Sequence, residues 1–483
     1  MGDALSRERR LAILAICCLS ILMVSLDNTI VNVALPAIRA DLGASVSQLQ
    51  WTVDAYTVVL AGLLILSGSL ADRLGRARVF QVGLATFSLG SLLCSTAASP
   101  GWLIAFRMVQ AVGGSMLNPV AMSIIRNAFE DPAERARAIG IWGGVVGLSM
   151  ALGPLVGGAL VAASSWRAIF WVNVPVAVLA IALVRRFVPE SRAARPRRPD
   201  PVGQALVMVA LALLTYAIIE GGASGWGSPA VAGCFVLAAA AMAAFLPYEA
   251  RRAEPLIAPG FFRSVPFSAA TLIAIASFTA LGGFLFVTNL YLQGARGLSP
   301  FQAGLYTLPM AATAFVAAPL SGRLVGHRGA RPSLVLGGAG LAASSAMLTG
   351  LSVHTATAWL MAAYFVFGLG FGMVNPPITN TAVSGMPPAQ AGVAAAIAST
   401  SRLVGISLGV AIVGTIVAAS GVASGERLAA TTHACWWILL GCGIAVIALG
   451  LASTTERALG TARAVGARLD LAPAWPRGAL EGD

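Results

Sequence analysis

Residues 11–36 read LAILAICCLSILMVSLDNTIVNVALP. No charge occurs from Leu11 to Leu26, and the run approaches the ~20 apolar residues that cross ~30 Å of hydrocarbon at ~1.5 Å per residue. Asp27, Asn28, Thr29 and Asn32 interrupt it, and a bilayer tolerates such side chains only where they are paired, wet or in use. The stretch therefore states a fold class, all-α integral membrane, and raises the question of what its polar cluster does. It is too long for a signal peptide, lacks a small-residue cleavage site and leads into another span, so it reads as a retained helix.

Comparable apolar runs recur to the end of the chain, and fourteen are expected to be transmembrane helices. The composition agrees: of 483 residues 58% are hydrophobic and 10% charged, far below the quarter or so of soluble domains. The formal net charge of +12 is of the size that nucleic-acid binders carry, but its placement argues against that partner. Every basic residue is arginine; Arg7, Arg9, Arg10, Arg73, Arg76, Arg78, the 185–198 linker and the C-terminal tail fall on one side of the fourteen spans. Only Arg39, Arg167, Arg296 and Arg427 fall on the other, the asymmetry of the positive-inside rule, which puts both termini in the cytoplasm. All six cysteines lie in or beside apolar spans, where packing is their expected role.

Two arginine- and proline-rich stretches, 185–200 and 249–266, divide the chain. The expected plan is an N-terminal six-helix bundle (1–184), linkers with two inserted helices (185–266), a C-terminal six-helix bundle (267–455) and a cytoplasmic tail (456–483). An internal repeat supports it: RMVQAVGGSMLNP at 107–119 aligns without gaps on YFVFGLGFGMVNP at 364–376, an offset of 257, pairing Gly113 with Gly370. GSLADRLGRAR at 68–78 aligns more loosely on GRLVGHRGAR at 322–331, an offset of 254. Duplicated bundles with a substrate site between them are a common transporter construction.

In GSLADRLGRARVF, Gly68 and Gly75 permit a tight turn while Asp72, Arg73 and Arg76 are placed for a charge network at helix ends. This loop resembles the signature of the major facilitator superfamily. LDNTIVNVALP (26–36), RMVQAVGGSMLNP (107–119), LGPLVGG (152–158), WRAIFWVNVP (166–175), DPVGQAL (200–206) and RLVGISLGVAI (402–412) resemble motifs of its fourteen-span drug:proton antiporter branch. The resemblance implies the major facilitator fold, two six-helix bundles plus two inserted central helices, and export of organic compounds in exchange for protons. Gly153, Pro154, Gly157 and Gly158 match its antiporter motif, where glycine and proline let helices pack closely and bend; Ser149 stands where the pattern usually has glycine.

Ionisable residues inside spans are few: Asp27, Asp54, Glu220, Arg107 and Arg402. Asp27, Asp54 and Arg107 fall in the outer halves of spans one, two and four, where one wet cavity would hold all three and permit a proton switch. The resemblance assigns Arg107 to proton coupling and matches Asp27 and Asp54 to acidic positions of the family. Asn28 and Asn32 share a helical face and either line the path or bond a neighbouring helix. Glu220 is expected to reach water; Arg402, with no acid between Glu254 and Glu426, either holds an anionic group, reaches an acid of the other half or bonds helix carbonyls. With no lysine there is no Walker A loop, and no metal or esterase motif occurs, so neither an enzyme nor a cofactor is expected. The expected partners are the lipid bilayer, protons and a small organic substrate, handled by a monomer. The rivals are a dedicated exporter of one metabolite or antibiotic, and a non-transporting sensor on the same fold.

Overall fold

The computed structural model describes residues 6–129, 131–192, 200–252, 259–384, 388–421 and 424–471. The expected linker segments at 193–199 and 253–258 and the end of the tail at 472–483 lie outside the described residues. Among the described residues every regular element is helical.

Serine or aspartate followed by proline marks helix starts, because the side chain caps free N–H groups and proline needs none at the first turn. Ser99-Pro100, Asp131-Pro132, Asp200-Pro201 and Ser299-Pro300 all do so, while Ser228-Pro229 starts its helix without a side-chain cap bond. The first half comprises α1 (Arg7–Leu42), α2 (Val46–Leu74), α3 (Arg76–Ser95), α4 (Pro100–Ala128), α5 (Pro132–Ala163) and a span split into α6 (Ala168–Trp171) and α7 (Asn173–Phe187). Pro175 accounts for the split, since it has no N–H for the Trp171 carbonyl. Next come α8 (Pro201–Ser224) and α9 (Pro229–Ala250). The second half comprises α10 (Val265–Asn289), which runs into a π-helical turn at Leu290–Ala295, then α11 (Pro300–Arg328), α12 (Ala330–Leu348), α13 (Thr357–Val383), α14 (Pro388–Ala419) and α15 (Gly425–Ser453). The tail begins with α16 (Glu456–Leu471).

A helix occupies each of the fourteen expected places, but among the described residues only eleven are long and apolar enough to cross a membrane, or twelve if bent α2 counts as one span. The two that fall short are α5 and α12. In α12 the reason is local: Ser333, Gly337, Gly338, Ser344 and Ser345 are buried against neighbouring helices, so the helix presents less apolar surface of its own.

The sequence repeat reappears as a repeat of packing. Gly113 of α4 lies so close to α3 that a Cβ there would run into Gly83 and Phe87 backbone. Gly370 of α13 lies in the same way on Gly337 and Leu341 backbone of α12, and these partners are again 254 residues apart. Without a hydrophobic drive between helices in lipid, such backbone approach is a main source of association.

The apolar interior has two parts. One, including Ile13, Leu14, Phe80, Ile124, Phe129 and Val184, belongs to the arginine-rich end of the N-terminal half. The other runs through the C-terminal half and takes from the N-terminal half only residues of its arginine-poor end, such as Ile30, Val31, Ala34, Leu35, Leu103 and Phe170. The halves are thus joined chiefly at one end, and among the described residues Leu403 of α14 is the C-terminal-half side chain that packs on the core at the other.

Gly113→Leu and Gly370→Leu are each expected to lower the stability of the detergent-purified protein by about 1–3 kcal/mol through overpacking. Thermal unfolding followed by near-UV circular dichroism checks this, and similar losses at the two sites are expected from their matched geometry.

Candidate functional site

Asp27 sits midway along α1 with 1% of its surface exposed, and Arg107 of α4 faces it with the same exposure. Their ion pair, Arg107 Nη1 to Asp27 Oδ2, is 2.5 Å long. Gln110 Nε2 donates to Asp27 Oδ1 at 2.8 Å and Asn173 Nδ2 donates to the same oxygen at 3.1 Å. Arg107 also donates to Gln110 Oε1 at 2.7 Å and, through Nε, to the Thr52 carbonyl at 3.1 Å. Ser91 of α3 accepts from Asn173 at 3.0 Å and donates to the Phe170 carbonyl beside the α6–α7 break at 2.9 Å. The Tyr56 ring lies 4.1 Å from the guanidinium carbon, an arrangement favourable to a cation. Asp27 accepts every one of these bonds, as an ionised carboxylate must. The result is one closed network across α1, α2, α3, α4 and the broken span.

Asp54 does not join it, contrary to the expectation of a shared cavity. It is fully buried on α2, and neither carboxylate oxygen has a hydrogen-bond partner among the described residues. It faces Ser407 of α14 outside good hydrogen-bonding geometry. The physical reason is helix phase: Asp27 and Arg107 point into the N-terminal half, whereas Asp54 lies on the side of α2 that meets α8 and α14. One turn further, a cavity of about 10 Å³, room for about one water, is lined by Thr57, Thr215 and Ser407. Asn28 and Asn32 donate to carbonyls of their own helix, Val24 and Asn28, at 3.0 Å each. Asn32 keeps a buried oxygen without a partner among the described residues. Glu220 accepts from Ser47 at 2.8 Å, which ties α8 to α2. Phe284 packs with Tyr364, Phe367 and Trp436 in an aromatic cluster. Arg402 donates to Thr379 Oγ1 at 2.5 Å and to Ser399 Oγ at 3.5 Å.

Polar contacts between the halves concentrate at their arginine-poor ends. Gln50 Nε2 donates to the Ala411 carbonyl at 2.8 Å, and Gln293 Nε2 in the π turn donates to the Val33 carbonyl at 2.9 Å. The glycines of α5 complete the closure on two faces. A Cβ on Gly153 or Gly157 would strike Thr29 or Ile30 of α1, and one on Gly158 would strike Pro300 and Phe301 of α11. The Pro154 carbonyl fills the corresponding space at Gly304. Ser149 is buried and donates to the Val145 carbonyl of its own helix, so the substitution leaves the packed face intact.

Residues 17–410 match the model of the Major Facilitator Superfamily. The chain belongs to this superfamily. It is 38% identical over 403 residues to the tetracenomycin C resistance and export protein of Streptomyces glaucescens, covering 82% of this chain and 74% of that one. It is 35% identical over 401 residues to the multidrug resistance protein Stp of Mycobacterium tuberculosis, covering 83% and 74%. Against the multidrug efflux pump LfrA of Mycolicibacterium smegmatis it is 36% identical over 407 residues, covering 84% and 80%. As a major facilitator transporter it is a multi-span helical protein of a lipid environment.

At the arginine-rich end the loop between α2 and α3 is tied to the segment after α7, where the Ser191 carbonyl accepts from the Arg76 N–H at 2.9 Å. Asp72 pairs with Arg76 at 2.8 Å, while Arg73 is exposed and outside the ion pairs seen among the described residues. Gly75 has φ +116°, and a Cβ there would meet the Glu190 carboxylate at 2.6 Å. Glu190 accepts the N–H groups of Ala77 and Arg78 at 3.1 and 3.2 Å, a negative charge on the start of α3. A Cβ on Gly68 would meet Pro119 at 3.7 Å, an ordinary contact. Among the described residues no group of three or more His, Cys, Asp or Glu is placed to hold a metal ion.

Sequence reasoning missed Gln110, Asn173, Ser91, Tyr56 and Gln50 because neutral side chains give no charge signal. Gln110 was nonetheless readable, lying three residues after Arg107 on one helical face. Removing one member of a buried pair strands the other, so Arg107→Met is expected to cost about 3–5 kcal/mol of stability. The double variant Asp27→Asn, Arg107→Met is expected to recover at least about 1 kcal/mol of this, read from unfolding of the detergent-purified proteins.

Proposed function

We propose that this protein exports drugs or other small organic compounds across the cytoplasmic (inner) membrane in exchange for protons, working as a monomer by alternating access with both termini in the cytoplasm. The observation that carries the reading is the buried Asp27–Arg107–Gln110–Asn173 network, an ionisable centre that ties three elements of one half together. The relatives' names, among them an export protein and an efflux pump, support the direction of transport. In this reading residues 1–184 and 267–455 rock about the seam, and 185–266 forms the inserted unit.

With the arginine-rich face in the cytoplasm, the conformation is closed outside and separated inside. Asp27 is then ionised and locked to Arg107, the state after proton release. Protonation from outside removes the negative charge that the guanidinium, Gln110 and Asn173 converge on. Arg107 then keeps the Thr52 carbonyl and the Tyr56 face, and the hold of α4 on α1 and α7 weakens. The groups facing Asp27 are Arg107, Gln110 and Asn173, with Tyr56 and Cys94 within electrostatic reach. Moving one charge down the potential supplies about 2.3 kcal/mol per 100 mV, comparable to the hydrogen bonds exchanged. The signature loop residues Gly68, Asp72, Arg73, Gly75 and Arg76 gate the inner end, the Gly153–Gly158 face closes the outer end, and Asp54 is a second proton carrier on the α8 side. Asn28 and Asn32 line the route.

Asp27→Asn is expected to insert and fold while abolishing protonophore-sensitive dye efflux from proteoliposomes; full gradient-driven efflux by this variant would sink the role of Asp27. A dedicated exporter is the second reading, favoured by relatives named for single antibiotics, such as the puromycin resistance protein of Streptomyces alboniger. A susceptibility panel in a drug-hypersensitive host separates the two: raised tolerance to several unrelated compounds supports multidrug export, and to one compound alone the dedicated exporter.

A further inference from the structure

Charges within the spans do not balance locally. Asp27 is consumed by Arg107, Asp54 is sealed between α2, α8 and α14, and Glu220 accepts from Ser47 at the far end of α8. Arg402 remains, in the middle of α14, and the chain contains no acid from residue 255 to residue 425. Among the described residues its hydrogen bonds go to neutral hydroxyls, Thr379 and Ser399, the second at the long limit of 3.5 Å. Its Nε is buried without a partner among the described residues. The Phe278 ring lies 5.9 Å from its guanidinium carbon, and Phe278 packs edge-on against Phe371 at 5.1 Å. A guanidinium offers five donors in a planar fork suited to a carboxylate, and leaving it unpaired inside a membrane protein costs several kcal/mol.

The position suits a ligand. Arg402 is only half-buried, and the next residue, Leu403, packs against the apolar core of the N-terminal half, which places Arg402 beside the seam. Thr379, which orients the guanidinium, is in the last turns of α13, towards the arginine-rich end. We infer that Arg402 is the recognition point for an organic anion, a carboxylate or ionised phenol, on an aromatic substrate whose flat body lies against Phe278. This rests on the export reading and gives it a substrate class: Arg402 supplies the fork, Thr379 holds it, and a cationic drug at the same point meets an uncompensated positive charge.

Fluorescein and rhodamine 123 share a xanthene skeleton and carry opposite charge, so they isolate the charge preference. Binding to the purified full chain in nanodiscs, read by fluorescence anisotropy, is expected to favour fluorescein by at least about tenfold. Arg402→Gln is expected to weaken fluorescein binding by about 10- to 100-fold and to weaken rhodamine 123 less or improve it, while Arg402→Lys keeps the preference for the anion in reduced form. Thr379→Val retains the charge but frees the fork, and is expected to weaken fluorescein by a smaller factor; it serves if the glutamine variant fails to fold. Equal binding of the dyes, preference for rhodamine 123, binding of neither, or a parallel loss of both in Arg402→Gln overturns the assignment. Efflux of the same dyes from proteoliposomes separates the two levels of the reading. Tight fluorescein binding with protonophore-insensitive efflux speaks against proton exchange and leaves the anion site standing. Proton-driven rhodamine 123 efflux without fluorescein binding removes the anion site and leaves the exporter standing.

Discussion

A carboxylate and a guanidinium, both almost without exposed surface, meet between α1 and α4, and the architecture of the N-terminal half follows from keeping them satisfied. Neither charge is tolerable alone in a low-dielectric interior, so each further acceptor or donor has to be brought by a neighbouring helix. Gln110 is supplied one turn along α4, Asn173 by the break before α7, Ser91 by α3 and a carbonyl by α2. The break that Pro175 creates is thereby used, since it sets a polar side chain at the start of a helix in the middle of a span. A change of one proton at Asp27 alters the reason for all these contacts at once, which is the property a coupling site requires.

Glycine packing lets such a centre move without the protein coming apart. In α5 one run of small residues meets α1 on one side and α11 on the other, so the contact within the half and the contact between halves share four residues. Backbone against backbone carries few interlocking side chains, and two packed surfaces of this kind can separate at one end while rocking about the other. The inserted α8 spans the opposite seam, tied through Glu220 to Ser47 of α2 and through the Ile218 carbonyl to Thr415 of α14. It joins both halves near the closed end, which gives the inserted pair a mechanical place in the fold.

The arrangement of charge also separates two kinds of ionisable residue that look alike in a hydropathy profile. Asp27 is surrounded by donors, whereas Asp54, equally buried, has no hydrogen-bond partner among the described residues. Arg107 has an acid and Arg402 has hydroxyls. Burial alone says that each is costly; only the partner set says which cost the protein meets with its own side chains.

Local chemistry was enough to determine the membrane class, the places of the helices, the duplication and the candidacy of Asp27 and Arg107. Bilayer thickness sets a length, uncompensated charge in hydrocarbon is rare, and serine–proline or aspartate–proline starts act within a few residues. The pairing of Asp27 with Gln110 and Asn173, the separation of Asp54 from that group, and the closure by Gln50 and Gln293 were decided only in three dimensions. Each depends on the rotation of one helix about its axis relative to another, a rotation of 100° per residue that packing between distant segments sets and that no short stretch of sequence records.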